Sequence, residues 1–146
     1  ATKIIFSNSS DIFTAKDDGS NIVNVTQKST PRTGDPKITR DETVVFDSDH
    51  GMGLELWRIS SGESAKQLTY ISRAGQESFL VEDVSDDGLL VSYRYKDTVA
   101  DATAVGIVGI DGANPHTFNA PGGVGAFGAR FSPSCGAAAP LITAAQ

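Results

Sequence analysis

The sequence predicts an all-β chain built from about three repeats of a four-stranded antiparallel unit, and three observations predict it. Apolar and β-branched residues come in short runs, Asp-Gly, Ser-Gly, Gly-Gly and Asn-Pro clusters separate the runs, and their order recurs with a period in the forties. Helical patterning is nearly absent. Ala137–Gln146 has the alanines for a helix, but Pro140 lacks the N–H that a helix interior needs.

Taken in order, the runs are Lys3–Ser7, Asp11–Ala15, Ile22–Thr26, Thr43–Asp47, Leu54–Ile59, Ala65–Thr69, Ser78–Val84, Leu89–Tyr95, Ala104–Ile110, His116–Asn119, Phe127–Ser132 and Leu141–Ala144. Each has strand length. The Gly, Asn, Asp and Pro residues between them supply the positive or pre-set φ of tight turns, so the chain reads as a hairpin meander.

Three copies of one pattern follow from this order. The first is Lys3-Ile4-Ile5-Phe6-Ser7, Asp11-Ile12-Phe13, the Asp18-Gly19 turn and Val25-Thr26. The second is Thr43-Val44-Val45-Phe46-Asp47-Ser48, Glu55-Leu56-Trp57, Ser61-Gly62 and Leu68-Thr69; the third is Leu89-Leu90-Val91-Ser92-Tyr93, Val105-Gly106-Ile107-Val108, Asp111-Gly112 and His116-Thr117. The turn glycine moves from 19 to 62 to 112, by 43 and 50 residues, and Thr26, Thr69 and Thr117 lie 43 and 48 apart. A second landmark recurs in Ile38-Thr39-Arg40-Asp41-Glu42, Val84-Ser85-Asp86-Asp87-Gly88 and Phe131-Ser132-Pro133-Ser134-Cys135-Gly136, with Thr39, Ser85 and Ser132 spaced by 46 and 47. A period in the forties with about four strands per unit is the pattern of a β-propeller blade. The expected blades are 1–35, 36–77 and 78–126 of a single propeller-type domain spanning 1–146, with 127–146 starting a further blade or completing a neighbouring subunit.

Ser85-Asp86-Asp87-Gly88 before an apolar strand, Asp11-Ile12-Phe13 and Glu55-Leu56-Trp57 before a Gly turn, and Leu68-Thr69 after it resemble the WD-like repeat of TolB-type β-propellers. The resemblance covers nearly the whole chain. It departs at Arg40-Asp41-Glu42, which lacks the turn glycine, at Cys135, an apparent insertion, and at the extended 96–103 loop. It implies a propeller with six blades as a common number, and fold alone leaves the activity open.

At about 46 residues per blade, 146 residues make only three, whereas closed propellers have roughly four to eight blades. The first copy lacks an inner strand before Lys3, and the C-terminus carries a spare one at Phe127–Ser132. Unpaired sheet edges recruit other strands. The expectation is therefore an incomplete propeller completed by another chain. Lys3, Ile4, Ile5 and Phe6 of one subunit would meet Leu141, Ile142 and Thr143 of the next, in a ring of two copies or a head-to-tail filament. The bland alternative is a fragment of a larger propeller-containing enzyme, peptidase-gating or carbohydrate-active.

Charge and composition exclude several classes. With 12 Lys and Arg against 18 Asp and Glu the net charge is −6, the wrong sign for displacing counterions from nucleic acid. The expected partners are other copies or another protein, with no nucleic acid and no membrane insertion, because no apolar run approaches the roughly 20 residues of a transmembrane helix. One cysteine, an acidic Ser/Thr/Asn-rich surface and a start at Ala1 rather than Met lead to an expected exported, mature form at the cell surface, in the periplasm or secreted. Asn8 and Asn24 open N-x-Ser/Thr sequons, which arise often by chance.

No catalytic constellation stands out. His50 and His116 lack a zinc-type spacing, no Gly-x-Ser-x-Gly is present, and Cys135 has no base near it in sequence. Glu82 and Asp83 are adjacent on one strand, where neighbours point to opposite faces rather than converging on a glycosidic bond. Asp47-Ser48-Asp49-His50-Gly51 sets carboxylates at alternate positions, as hard cations want, but Gly51 and Met52 break the EF-hand template. The expectation is no cofactor, calcium being the one ion weighed. Tyr93-Arg94-Tyr95 alternates two aromatics on one face with an arginine opposite, a candidate rim for stacking a sugar or peptide.

Overall fold

Val, Ile, Phe and Thr fill the apolar runs, and such side chains pack well on a pleated surface. In a computed structural model ten of the runs, with Thr33–Ile38 besides, form eleven strands among the described residues, β1 (Lys3–Ser7), β2 (Ile12–Lys16), β3 (Val23–Asn24), β4 (Thr33–Ile38), β5 (Val44–Asp49), β6 (Leu54–Ile59), β7 (Lys66–Gln67), β8 (Gln76–Val84), β9 (Leu90–Asp97), β10 (Ala102–Gly109) and β11 (His116–Phe118). The structure describes residues 3–8, 10–27, 33–49, 53–71, 76–97, 101–119 and 128–132, and no helix occurs among them. Three antiparallel meanders result, in the orders β1-β2-β3, β4-β5-β6-β7 and β8-β9-β10-β11. They are the sheets of blades one, two and three. Blade two takes its first strand from Thr33 and blade three from Gln76.

The sequence pattern does not show β4. Gly34, Asp35 and Pro36 are poor strand formers, yet the strand forms because Gly34 pairs with Asp47 and the ladder to β5 then skips only Asp35 and Pro36 in a bulge before Lys37. Proline cannot donate to a ladder, and β4 is a sheet edge, where it is tolerated.

Turn chemistry repeats from blade to blade. Thr39 Oγ1 accepts the amide of Thr43 at 2.9 Å, and Ser85 Oγ accepts that of Leu90 at 2.9 Å. The amides of Glu42 and Gly88 close the two turns onto the Thr39 and Ser85 carbonyls. Glu42 (φ 67°) thus occupies the left-handed position that Gly88 (φ 73°) holds in blade three, at a cost of about 1–2 kcal/mol for a residue with a Cβ. Asp41 and Asp87 accept the Thr39 and Ser85 hydroxyls, which holds both carboxyls below the usual range.

Two apolar layers join the sheets. Ile5, Ile12 and Val25 of blade one pack on Val44, Phe46, Trp57 and Ile59 of blade two. Val45, Leu56 and Leu68, on the other side of blade two, pack on Val81, Val91, Tyr93 and Val108 of blade three. Each blade therefore has a leading face toward its predecessor and a trailing face toward its successor.

Candidate protein-interaction surface

Equivalent positions in the blades are fixed by hydrogen bonds. Thr26 Oγ1 accepts the Ile12 amide at 3.0 Å and donates to Asp11 Oδ1 at 3.1 Å. Thr69 Oγ1 accepts the Leu56 amide at 3.0 Å and donates to Glu55. Ile12 thus matches Leu56, Phe13 matches Trp57 and, through the ladders, Phe6 matches Phe46 and Ile4 matches Val44. On the leading face of blade two Val44 and Phe46 are 2% and 0% exposed; on that of blade one Ile4 and Phe6 are 44% and 40% exposed. The same side chains that blade one covers in blade two lie open at the start of the stack. Phe6 stacks on Phe13 across the ladder, ring centroids 5.5 Å apart.

The edge of the same sheet is also open. In blades two and three an inner strand, β4 or β8, precedes the strand matching β1, whereas β1 pairs only with β2 among the described residues. Lys3 Nζ reaches Glu42 Oε2 at 2.5 Å and ties the start of β1 to the turn of blade two. Beneath this ion pair, between the two blades, lies an open cleft of about 480 Å³ whose walls mix Val25, Ile38 and Ile59 with Asn24, Gln27 and Glu63.

The other end of the stack is complementary in kind. Phe118 of blade three stands where Leu68 stands in blade two; Leu68 is 2% exposed and Phe118 52%. Beside it Arg94 binds Glu82 through Nε at 3.1 Å and Nη2 at 2.7 Å. Glu82 Oε1 also accepts the Gly128 amide at 3.2 Å, Asp83 Oδ2 accepts the Phe131 amide at 2.9 Å, and Arg130 donates to the Glu82 carbonyl. Glu82 and Asp83 hold the Gly128–Ser132 segment against β8, rather than facing one another across a cleft.

The stacking rim expected from Tyr93, Arg94 and Tyr95 is corrected by this geometry. Alternation does put both tyrosines on one face, but that face is the core between blades two and three: Tyr93 is buried and Tyr95 packs against the cluster. The reason is Gly106, which stands opposite Tyr93 where Trp57 stands opposite Phe46, so the tyrosine ring lies over the glycine. A Cβ at Gly106 would collide with the ring. Burial, with the charge of Glu55 adding to it, pushes the Tyr93 hydroxyl up to about 12. Lys3, Ile4, Ile5 and Phe6 are gathered on β1, with Ile5 turned into the core layer and the other three half-exposed or open. Leu141, Ile142 and Thr143 lie outside the described residues, as do His50 and Cys135. His116 is exposed on β11. Asn8 and Asn24 use their side-chain carbonyls to cap the amides of Asp11 and Gln27 at 2.7 Å each.

One buried carboxylate is not evident from the sequence pattern. Asp47 is 6% exposed, and its Oδ1 has no hydrogen-bond partner among the described residues. Burial pushes its pKa up to about 6, the nearby charge of Asp35 adding to the effect. Among the described residues no three His, Cys, Asp or Glu side chains converge as a metal site.

Stacked antiparallel meanders, one of three described strands and two of four, with equivalent leading and trailing faces define a β-propeller blade array. Among solved structures the chain is similar to that of a putative TolB from Agrobacterium tumefaciens, at 21% identity over 73% of this chain and 40% of that one, with a TM-score of 0.59. The likeness shows a TolB-like propeller fold, and the chain spans well under half the length of that structure. No family model and no curated protein match the chain.

Proposed function

We propose that the chain is a non-enzymatic protein-binding propeller module that works as an assembly with further copies of itself. The observation that supports this is the open leading face: Ile4 and Phe6 occupy positions whose counterparts, Val44 and Phe46, are covered by a blade. An exposed apolar patch beside a strand edge that no described strand pairs invites another chain, and the second copy carries the complementary trailing face around Phe118. An acidic composition with a single cysteine supports an extracytoplasmic setting. A closed ring and a head-to-tail filament are the two forms such an assembly takes.

Light scattering on the purified chain tests it. The wild type should give a mass that is a multiple of 15.3 kDa, and Phe6→Glu, which sets a charge in the covered face, should return it to a folded 15.3 kDa particle. A wild type that stays at 15.3 kDa at every concentration overturns self-assembly. That outcome supports a second reading, favoured by the 40% coverage of the putative TolB: further blades of the same polypeptide, including those of a larger propeller enzyme, cover the face.

A further inference from the structure

The inner strand that no described residue supplies to blade one is the element at which the described trailing end stops. Ile38-Thr39 ends β4, Val84-Ser85 ends β8, and Phe131-Ser132 repeats them at the same spacing of 46 and 47 residues. In each complete blade the residue before the hydroxyl pairs with the first core residue of the next strand, Ile38 with Val44 and Val84 with Val91. Its counterpart in blade one is Ile4, because Ile4 stands opposite Ala15 as Val44 stands opposite Ile59. After β4 and β8 the segment stands as a third inner strand, held beside β8 through Glu82 and Asp83 as described above.

We propose that Gly128–Ser132 of one copy is the inner strand of blade one in a second copy, with Phe131 opposite Ile4, and that two copies exchange these strands reciprocally to close a ring of six blades. This rests on the self-assembly reading and deepens it by naming the segment, the register and the number of copies. It also replaces Leu141–Thr143 with Gly128–Ser132 as the partner of β1. Among the described residues eleven strands and this segment make twelve, enough for three four-stranded blades per copy. Six blades lie within the roughly four to eight of closed propellers. The pairing covers the apolar leading face and the open edge at once, because the blade that supplies the strand brings Val105 and Phe118 up to Ile4, Phe6 and Phe13.

Directly opposed residues of an antiparallel pair lie about 4.5–5.5 Å apart at Cα, inside the span of roughly 4.4–6.8 Å that a disulfide bridges. The test is the full chain with Cys135→Ser, Ile4→Cys and Phe131→Cys, oxidised at low concentration and run without reductant, alongside a control in which Ile5→Cys replaces Ile4→Cys. The proposal predicts a covalent dimer of twice 15.3 kDa for the first and little for the control, whose thiol points to the opposite face. An intramolecular link, seen as a monomer without free thiols, overturns it, and so does a ladder of higher covalent oligomers, which is an open chain rather than a ring. A particle that light scattering shows to be dimeric but that does not cross-link overturns the segment and register while leaving self-assembly standing. A monomer that does not cross-link overturns both.

Discussion

Replacing Asp47 with asparagine should stabilise the protein at neutral pH, which is unusual for a change at a buried polar residue. Asp47 follows Val45 on the same side of β5 and stands opposite Leu56, so its carboxyl lies on the face that packs against blade three. There it loses water, and one oxygen gains no partner. The folded pKa is about 6 against an ordinary 3.8. Below about pH 4 both the folded and unfolded chains carry the proton and there is no penalty. Between the two values the folded state keeps a proton that the unfolded chain releases, so stability falls as pH rises, and above about 6 the whole penalty is present. At roughly 1.4 kcal/mol per pH unit the gap amounts to at most about 3 kcal/mol. Urea unfolding of wild type and Asp47→Asn, followed by Trp57 fluorescence at one protein concentration, should show the variant about 1–3 kcal/mol more stable at about pH 8 and nearly equal at about pH 4. The difference between the two proteins isolates Asp47 from Asp41 and Asp87, whose lowered values act in the opposite sense and at lower pH. A variant less stable than wild type at about pH 8, or a gap that does not change with pH, would refute the account of a desolvated charge.

Three further outcomes follow from contacts in single blades. Gly106→Ala drives a methyl into the Tyr93 ring, an overpacking cost of about 1–3 kcal/mol in thermal or urea unfolding, and Tyr93→Leu in the same chain should recover part of it. Thr69→Val leaves the Leu56 amide without its acceptor and Glu55 without its hydroxyl donor, at about 1–3 kcal/mol, whereas Asn119→Ala at the matching place in blade three should cost under about 0.5 kcal/mol. Glu82→Ala should speed hydrogen exchange at Gly128 and leave the amide of Leu56 as slow as before, since only the former depends on that carboxylate.

Much of the fold is legible because turn chemistry is local. Gly19, Gly62 and Gly112 mark positive-φ positions that a side chain resists, and their spacing gives the blade period directly. Register is less legible. Val44, Val45 and Phe46 are apolar on both faces, so period-two reasoning cannot say which side faces which blade, and Glu42 hides a turn glycine's place. The turns ending in Glu42 and Gly88 are equally long, but one further residue, Leu89, follows Gly88 before the strand, so Leu90, not Leu89, matches Thr43. For the same reason the match to Thr69 in blade three is Asn119, opposite Ala104, and Thr117 matches Gln67; the acid–hydroxyl pair is absent there, and Phe118 takes the place of Leu68. The surface of β1 is legible as a candidate because the repeat order aligns its apolar run with those of β5 and β9. The burial of Tyr93 is not, because it depends on which residue stands across the ladder.

In the proposed assembly three blades are half of a closed propeller, and the mass of the wild-type particle by light scattering, measured across a dilution series, reports on this without an intermediate step. A stable species at twice 15.3 kDa, lost in Phe6→Glu, is the predicted result, and a well-folded wild-type monomer at every concentration contradicts it.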